Sequence, residues 1–401
     1  MSRINIADKE TLDKVHDLLK GKVKRYGYRR KIIEGQPAGR IEYLFDAVGM
    51  TPAVMNFSTG VFNYGSWADL WFIKDNYPCM LQYNGVEGYK LSKTDHTKKA
   101  DNTTASDVAN TDYGGNAMSA IPLCWVNRYE ENGYHYFIVC QTKYDDEYEA
   151  YAHTDRNGKV KTYFYYPMYK GSEISSKLRS LSGQRPMNGK TAPQELTLAQ
   201  ANGTGWSERE FLKDQLLCDL ITLITKSDND QETIGRGHDS GGSSAADLLT
   251  TGSLNTAGQF YGYNDGSHQM KAFYIEGFYA DRWDRLLGEL CINGTFMAKP
   301  DATGNGFNFT GEGYEAIGPV SPGSGWQKET QMTKYGMVPK TVGGSESTFM
   351  CVYCWINNAI VAVPCVGGCC DNGRVCGSRS VYCNIAASSA PWNVGASPSY
   401  T

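Results

Sequence analysis

Val366-Gly-Gly-Cys-Cys-Asp-Asn-Gly373, continued by Cys376-Gly-Ser-Arg379 and closed by Asn393-Val-Gly-Ala396, is the stretch that decides how the chain is read. It lies in a C-terminal segment, Phe349 to Thr401, from which Lys, Glu, Gln and His are absent, although about eight Lys, Glu and Gln would be expected from their frequency in the rest of the chain. Seven of the 12 cysteines fall there: Cys351, Cys354, Cys365, Cys369, Cys370, Cys376 and Cys383. A mutational alphabet accounts for the missing Lys, Glu and Gln and for the cysteines. When the two adenines of an asparagine codon ending in a pyrimidine are replaced at random, the products include Tyr, Ser, Cys, Asp, Gly, Arg, Val, Ile and Pro. Lys, Glu, Gln, Met, Trp and stop codons never arise. Met350, Trp355 and Trp392 are then fixed framework positions.

With the paired Gly367-Gly368, the Asn372-Gly373 turn, the Gly377-Ser-Arg379 run and the closing Asn393-Val-Gly395, the segment resembles the variable region of target proteins diversified by phage diversity-generating retroelements. Where that family usually carries an aromatic after the paired glycine, this chain has Cys369-Cys370. More loosely, the resemblance extends to Ser207–Ile224 followed by Lys226-Ser-Asp-Asn-Asp-Gln231. It implies an α+β, C-type-lectin-like fold of the formylglycine-generating type, here with a small N-terminal β-rich domain. It also implies ligand binding by exchangeable side chains on a fixed backbone. The ligand-binding residues expected on this reading are Cys351, Tyr353, Cys354, Asn357, Asn358, Cys369, Cys370, Asp371, Arg374, Val375, Tyr382, Ile385, Ser388 and Pro391, with Trp355 and Trp392 packed beneath them. The implied protein is a phage receptor-binding tail-tip or fibre protein, made in a bacterial cytoplasm and carried on the virion. Its partners would be a host cell-surface protein or glycan and other tail proteins. A homotrimer fits viral fibre tips in general, although no coiled-coil heptad is present.

Three regions are expected: an N-terminal helix and attachment segment over 1–39, a small β-rich domain over 40–115, and a C-type-lectin-like domain over 116–401 whose variable region is about 349–400. Leu12, Val15, Leu18 and Leu19 share one face of a helix from Asp8 to Leu19. Strand patterns stand at Ala53–Phe57, Trp67–Lys74 and Cys79–Tyr83, and a hairpin is expected around Glu131-Asn132-Gly133. Helices are expected over Ser172–Leu181 and over Ser207–Ile224, the latter opened by Ser207-Glu-Arg-Glu210 as a capping box. Strands resume at Lys271–Phe278, Leu290–Ala298, Thr348–Trp355 and Ala359–Val363.

A formal net charge of -4 and a pI near 5.9 give no electrostatic footprint for nucleic acid. The amino terminus lacks an apolar signal core, and no apolar run is long enough to span a bilayer, so a soluble protein with reduced thiols is expected. Three other readings weigh less. Cys351-Val-Tyr-Cys354 has the spacing of a zinc knuckle. The formylglycine-generating fold houses an enzyme elsewhere, but no His follows His268 and no Lys follows Lys340 to activate a tail thiol, so neither enzyme nor cofactor is expected. The carboxylates Asp145-Asp146-Glu147 with Glu149, and Asp281 with Asp284, lack calcium-loop spacing, and His238 stands alone in a glycine-rich loop.

Overall fold

The computed structural model describes residues 23–32, 40–300, 306–348 and 350–401; the helix expected at Asp8–Leu19, with most of the attachment segment, lies outside them. Among the described residues the protein is mostly β-sheet with few helices, 11% helical and 36% strand.

Its centre is the helix Phe211–Thr225, every residue of which is buried. Leu216, Leu217, Leu220, Ile221, Leu223 and Ile224 line one side of it, and the opposite side, with Gln215, Asp219, Thr222 and Thr225, is buried as well, so protein surrounds the helix. Its polar residues are satisfied by ion pairs: Asp214 by Arg209, Asp219 by Arg128 and Arg379, and Lys213 by Glu210. The helix starts later than the sequence suggests. Trp206–Glu208 is instead a strand, pairing antiparallel with the terminal strand Pro398–Tyr400, so sheet formation overrides the capping-box pattern.

A four-stranded sheet runs in the order Ile41–Phe45, Tyr26–Lys31, Tyr134–Cys140, Trp125–Glu131. Its hairpin turns where expected, with Asn132 and Gly133 at φ of 51° and 80°. The six-stranded sheet has the order Trp206–Glu208, Pro398–Tyr400, Tyr163–Pro167, Gly115–Pro122, Tyr77–Gln82, Glu87–Lys90. This sheet crosses the boundary expected at residue 115, and Trp67 and Phe72 share one apolar cluster with Leu217 and Ile221. The stretch 40–115 is therefore built into the same core as the central helix.

Other expectations are corrected. Within Trp67–Lys74 the chain forms the short helix Trp71–Lys74, which sinks Trp71, Phe72 and Ile73 into the core. In place of a helix over Ser172–Leu181 there is a hairpin, Ser172–Ile174 with Lys177–Arg179, turning through Ser175 and Ser176 at positive φ. Arg179 explains it, because its guanidinium donates to the carbonyls of Tyr113 and Gly115 and ties the hairpin to the neighbouring strand. Lys271–Phe278 is a hairpin of two-residue strands, and Leu290–Ala298 is a hairpin turning at Asn293-Gly294. The helix Ala192–Gln200 is an element that the sequence reading misses, although Thr191-Ala-Pro-Gln194 is a start signal: Pro193 sits in the first turn and Gln194 Oε1 accepts from Thr191 N at 3.0 Å.

The C-terminal segment feeds three sheets. A seven-stranded sheet has the order Gly336–Val342, Gly323–Thr333, Tyr353–Ile356, Gly377–Cys383, Cys365–Gly367, Trp283–Arg285, Val394–Gly395. Val361–Ala362 joins a further four-stranded sheet beside Glu289–Ile292, and Pro398–Tyr400 closes the six-stranded one.

Candidate ligand-binding face

Along Tyr353–Ile356 burial alternates, as a strand with one solvated face requires: Tyr353 and Trp355 are half-buried, whereas Cys354 and Ile356 enter a core with Cys291, Phe296 and Cys383. Trp355 stands in register with Tyr382 on one side and Ser324 on the other, and Tyr353 with Trp326. In-register residues project to the same side, so three adjacent strands present a file of rings. The steps between ring centroids are 5.6 Å from Trp326 to Tyr353, 4.6 Å to Trp355 and 6.0 Å to Tyr382. Buried Trp283 closes the file from within, stacked on Tyr382 at 5.5 Å and edge-on to Trp355 at 5.6 Å. Trp355, Tyr382 and Trp392 rest on a small apolar cluster of Leu248, Trp283, Cys365, Cys369, Cys370, Ile385 and Val394. Trp355 is thus part of the surface file as well as support for it. Burial raises the Tyr382 phenol above its ordinary range, so it stays a neutral donor.

Of the expected ligand-binding residues, Tyr353, Asn357, Asn358, Asp371, Arg374, Val375, Tyr382, Ser388 and Pro391 reach the surface, fully or in part. Cys351, Cys354, Cys369, Cys370 and Ile385 do not; they are 0–8% exposed, which corrects their placement on an outward face. The reason is periodicity for Cys354 and packing for the rest, since a free cysteine behaves as a small hydrophobe. All 12 cysteines are buried and free, so the tail has no exposed cysteine patch. Burial lifts the thiols of Cys351, Cys354 and Cys365 to about 12, and that of Cys369 is raised by its neighbour Cys370 and by burial. Such thiols are poor nucleophiles. Tyr353 and Tyr382 lie in the file, while Asn358, Arg374 and Ser388 are carried on separate connections.

The backbone of the segment is held largely by residues outside it. Gln231 Nε2 donates to the carbonyls of Arg374 (3.0 Å) and Cys376 (2.8 Å), fixing the loop that displays Asp371, Arg374 and Val375. Gly367 and Gly368 enter that loop at φ of 97° and 95°, and a Cβ on Gly368 would overlap the Cys376 sulfur. Gly373 N and Cys370 N donate to the carbonyls of Asp239 and Asp281 at 2.6 and 3.1 Å. Ser378 N donates to Asp230 Oδ2 at 2.9 Å, and Gln327 Nε2 donates to the Arg379 carbonyl at 2.7 Å. Arg285 donates to the Ser389 carbonyl at 2.6 Å and Arg282 to the Ala396 carbonyl at 2.9 Å.

Beneath these bonds lies a buried ionic hub. Asp284 takes Lys170 at 2.6 Å, Arg209 at 3.0 Å and Arg282; Arg285 pairs with Glu195 at 2.6 Å. Burial alone would raise the Asp284 carboxyl, but Lys170, Arg282 and Arg209 outweigh it and hold the group below the usual carboxylate range. Sequence reasoning singles out Asp281 and Asp284 only as cation candidates. The alternation Arg282-Trp283-Asp284-Arg285 in a strand is the available signal of a charged, buried register.

The carboxylates of the cation reading have protein partners. Asp281 is paired with His238 at 2.7 Å, and Asp284 belongs to the hub. Glu149 is paired with Lys143 at 3.4 Å, and Glu147 accepts from Asn127 at 3.1 Å. Among the described residues no three His, Cys, Asp or Glu side chains form a group able to hold a metal ion; Cys354 enters the core with Cys291 and Cys383, whereas the Cys351 thiol donates to the Glu346 carbonyl at 3.4 Å. Nor is any helix among them long and apolar enough to cross a membrane. Neither a family model nor a curated protein matches the chain.

Proposed function

We propose that this chain is a receptor-binding protein of a bacterial virus, which attaches to the host surface through exchangeable side chains of its C-terminal segment. The observation that carries the reading is the division of labour in residues 350–401: carbonyls and amides are gripped by Asp230, Gln231, Arg282, Arg285 and Gln327, whereas Tyr353, Asn357, Asn358, Asp371, Arg374, Tyr382 and Ser388 keep surface. A backbone held by side chains that lie elsewhere tolerates replacement of its own outward ones, and Tyr and Arg are the residue types that dominate binding hot spots. The C-type-lectin-like fold belongs to this proposal. Two helices, Ala192–Gln200 and Phe211–Thr225, followed by short strands and glycine turns with the last strand returning to the six-stranded sheet, are in keeping with it. Binding, not catalysis, suits a segment whose thiols are all buried.

The test is genetic and direct. In the same gene from related viral isolates, substitutions are expected to gather at the outward positions and to spare Trp355, Trp392, Arg379 and the paired glycines. Even scatter along the chain, or synonymous change alone after residue 349, would sink the reading. Exchanging residues 350–401 between two such isolates should carry the choice of host cell with the segment.

A further inference from the structure

We propose that the file Trp326, Tyr353, Trp355 and Tyr382 binds an uncharged saccharide chain; this rests on the receptor-binding reading and narrows its ligand. The rings stand in one row across three neighbouring strands, at centroid steps of 5.6, 4.6 and 6.0 Å. An aromatic face carries the negative lobe of the ring quadrupole, which attracts the partly positive C–H face of a pyranose. Neighbouring rings are edge-to-face or tilted, at 76°, 46° and 74°, so the row offers both faces and edges, and its extended line suits a ligand that repeats along its length.

The companions of the rings point the same way. On the strand faces that carry them, or just past the strand ends in the same alternation, stand Ser324, Asn357 and Asn384, all at least partly solvent-accessible. Serine and asparagine both donate and accept, as a sugar hydroxyl does. Charge is sparse: Lys328, two residues beyond Trp326, stands at one end, and of the exposed ions on the loop after Gly368, Asp371 and Arg374, the carboxylate of Asp371 is near enough to Tyr382 to act on its phenol. Acidic glycans and phosphorylated polymers are recognised by clusters of cations, and the file has none. A protein hot spot would centre on aliphatic or aromatic anchors in a pocket, whereas these rings form an open row with amide and hydroxyl neighbours.

The intact chain is titrated, following tryptophan fluorescence, with neutral hexasaccharides of glucose, mannose, galactose and N-acetylglucosamine, and with sialyllactose and phosphomannan. At least one neutral chain should give a saturable change that survives a roughly tenfold rise in salt, since screening acts on charges. Tyr353→Ala and Trp355→Phe should weaken it about tenfold or more, and so should Ser324→Arg, which crowds the rings from an exposed position without entering the core. Binding of the charged ligands alone, or neutral binding unmoved by all three variants, overturns the proposal. On bacteria to which the protein adheres, periodate, which cleaves sugar diols, should abolish adhesion and protease should not; the opposite pattern makes the ligand a protein. If exchange of the segment redirects adhesion while no neutral chain binds, only the saccharide fails. If exchange changes nothing, the receptor-binding reading fails first.

Discussion

Arg374 and Arg379 lie one short loop apart in the same segment and meet opposite environments. Arg379 is buried, bonded to Asp219 and, at 3.1 Å, to Gln215 of the central helix; its own carbonyl is held by Gln327. Arg374 is exposed, and only its carbonyl is held, by Gln231. In one case the fold needs the guanidinium, and in the other only the backbone. A second contrast sharpens the first. The outer face of the four-stranded sheet also carries rings, with Tyr129 stacked on Tyr136 at 4.5 Å, but Arg29 lies over Tyr134 at 4.5 Å and pairs with Glu42 at 2.7 Å. That surface mixes rings with paired charges, as solvated faces do, and the C-terminal file does not.

The largest effect is expected where the inner layer is most crowded with charge. Asp284→Ala leaves Lys170, Arg209 and Arg282 buried around a missing carboxylate, and breaking a buried pair from one side costs about 3–5 kcal/mol. Urea denaturation should show a loss of that size or failure to fold. A change under about 1 kcal/mol, the range of a surface pair, would mean that the hub does not hold the segment.

Arg379→Ala should come next, at about 3 kcal/mol, because Asp219 keeps Arg128 at 2.7 Å and the Tyr28 hydroxyl at 3.1 Å as partners. Arg374→Ala, measured beside it, is the control. Equal losses for the two would erase the contrast on which the proposed division rests.

Much of this is legible in the sequence, and the remainder is hidden for a physical cause. The restricted alphabet after residue 349, the Asn132-Gly133 hairpin and most of the central helix can be read locally, because each depends on composition or on neighbours in the chain. The direction of individual side chains cannot: Cys354 and Tyr353 differ only in parity along a strand, and parity is set by pairing with Gly323–Thr333 and Gly377–Cys383. The helix expected over Ser172–Leu181 fails for the same reason, since Arg179 is recruited by carbonyls from a strand more than sixty residues earlier. Ionic partners such as Lys170 and Asp284 are likewise invisible until the chain is folded.

A smaller, pH-dependent effect probes the Arg285 anchor. Burial, only partly offset by Arg285, raises the Glu195 carboxyl from 4.5 to about 7. The folded chain then holds this proton more tightly than the unfolded one. The stability it contributes is complete below about 4.5 and is lost as pH rises toward about 7. Glu195→Gln should flatten that part of the stability profile, read from urea midpoints across the interval. An unchanged slope would show that Glu195 does not titrate there.

The smallest effect is the most informative. Asp371→Asn, Arg374→Ser and Ser388→Tyr replace outward side chains with others of the same mutational alphabet, and each should alter stability by no more than about 0.5 kcal/mol. Asp371 and Arg374 flank a loop whose shape is set by Gln231, by the carbonyl of Asp239 and by the two glycines, none of which these changes touch. Ser388 lies next to Ser389, whose carbonyl is held by Arg285 whatever side chain precedes it. Cys369→Tyr is the matched opposite, because it forces a large side chain into the cluster of Trp283, Cys365 and Cys370 and should cost about 1–3 kcal/mol or more. If thermal melts rank the outward three with Cys369→Tyr, the segment is an ordinary piece of core and its unusual composition needs another origin.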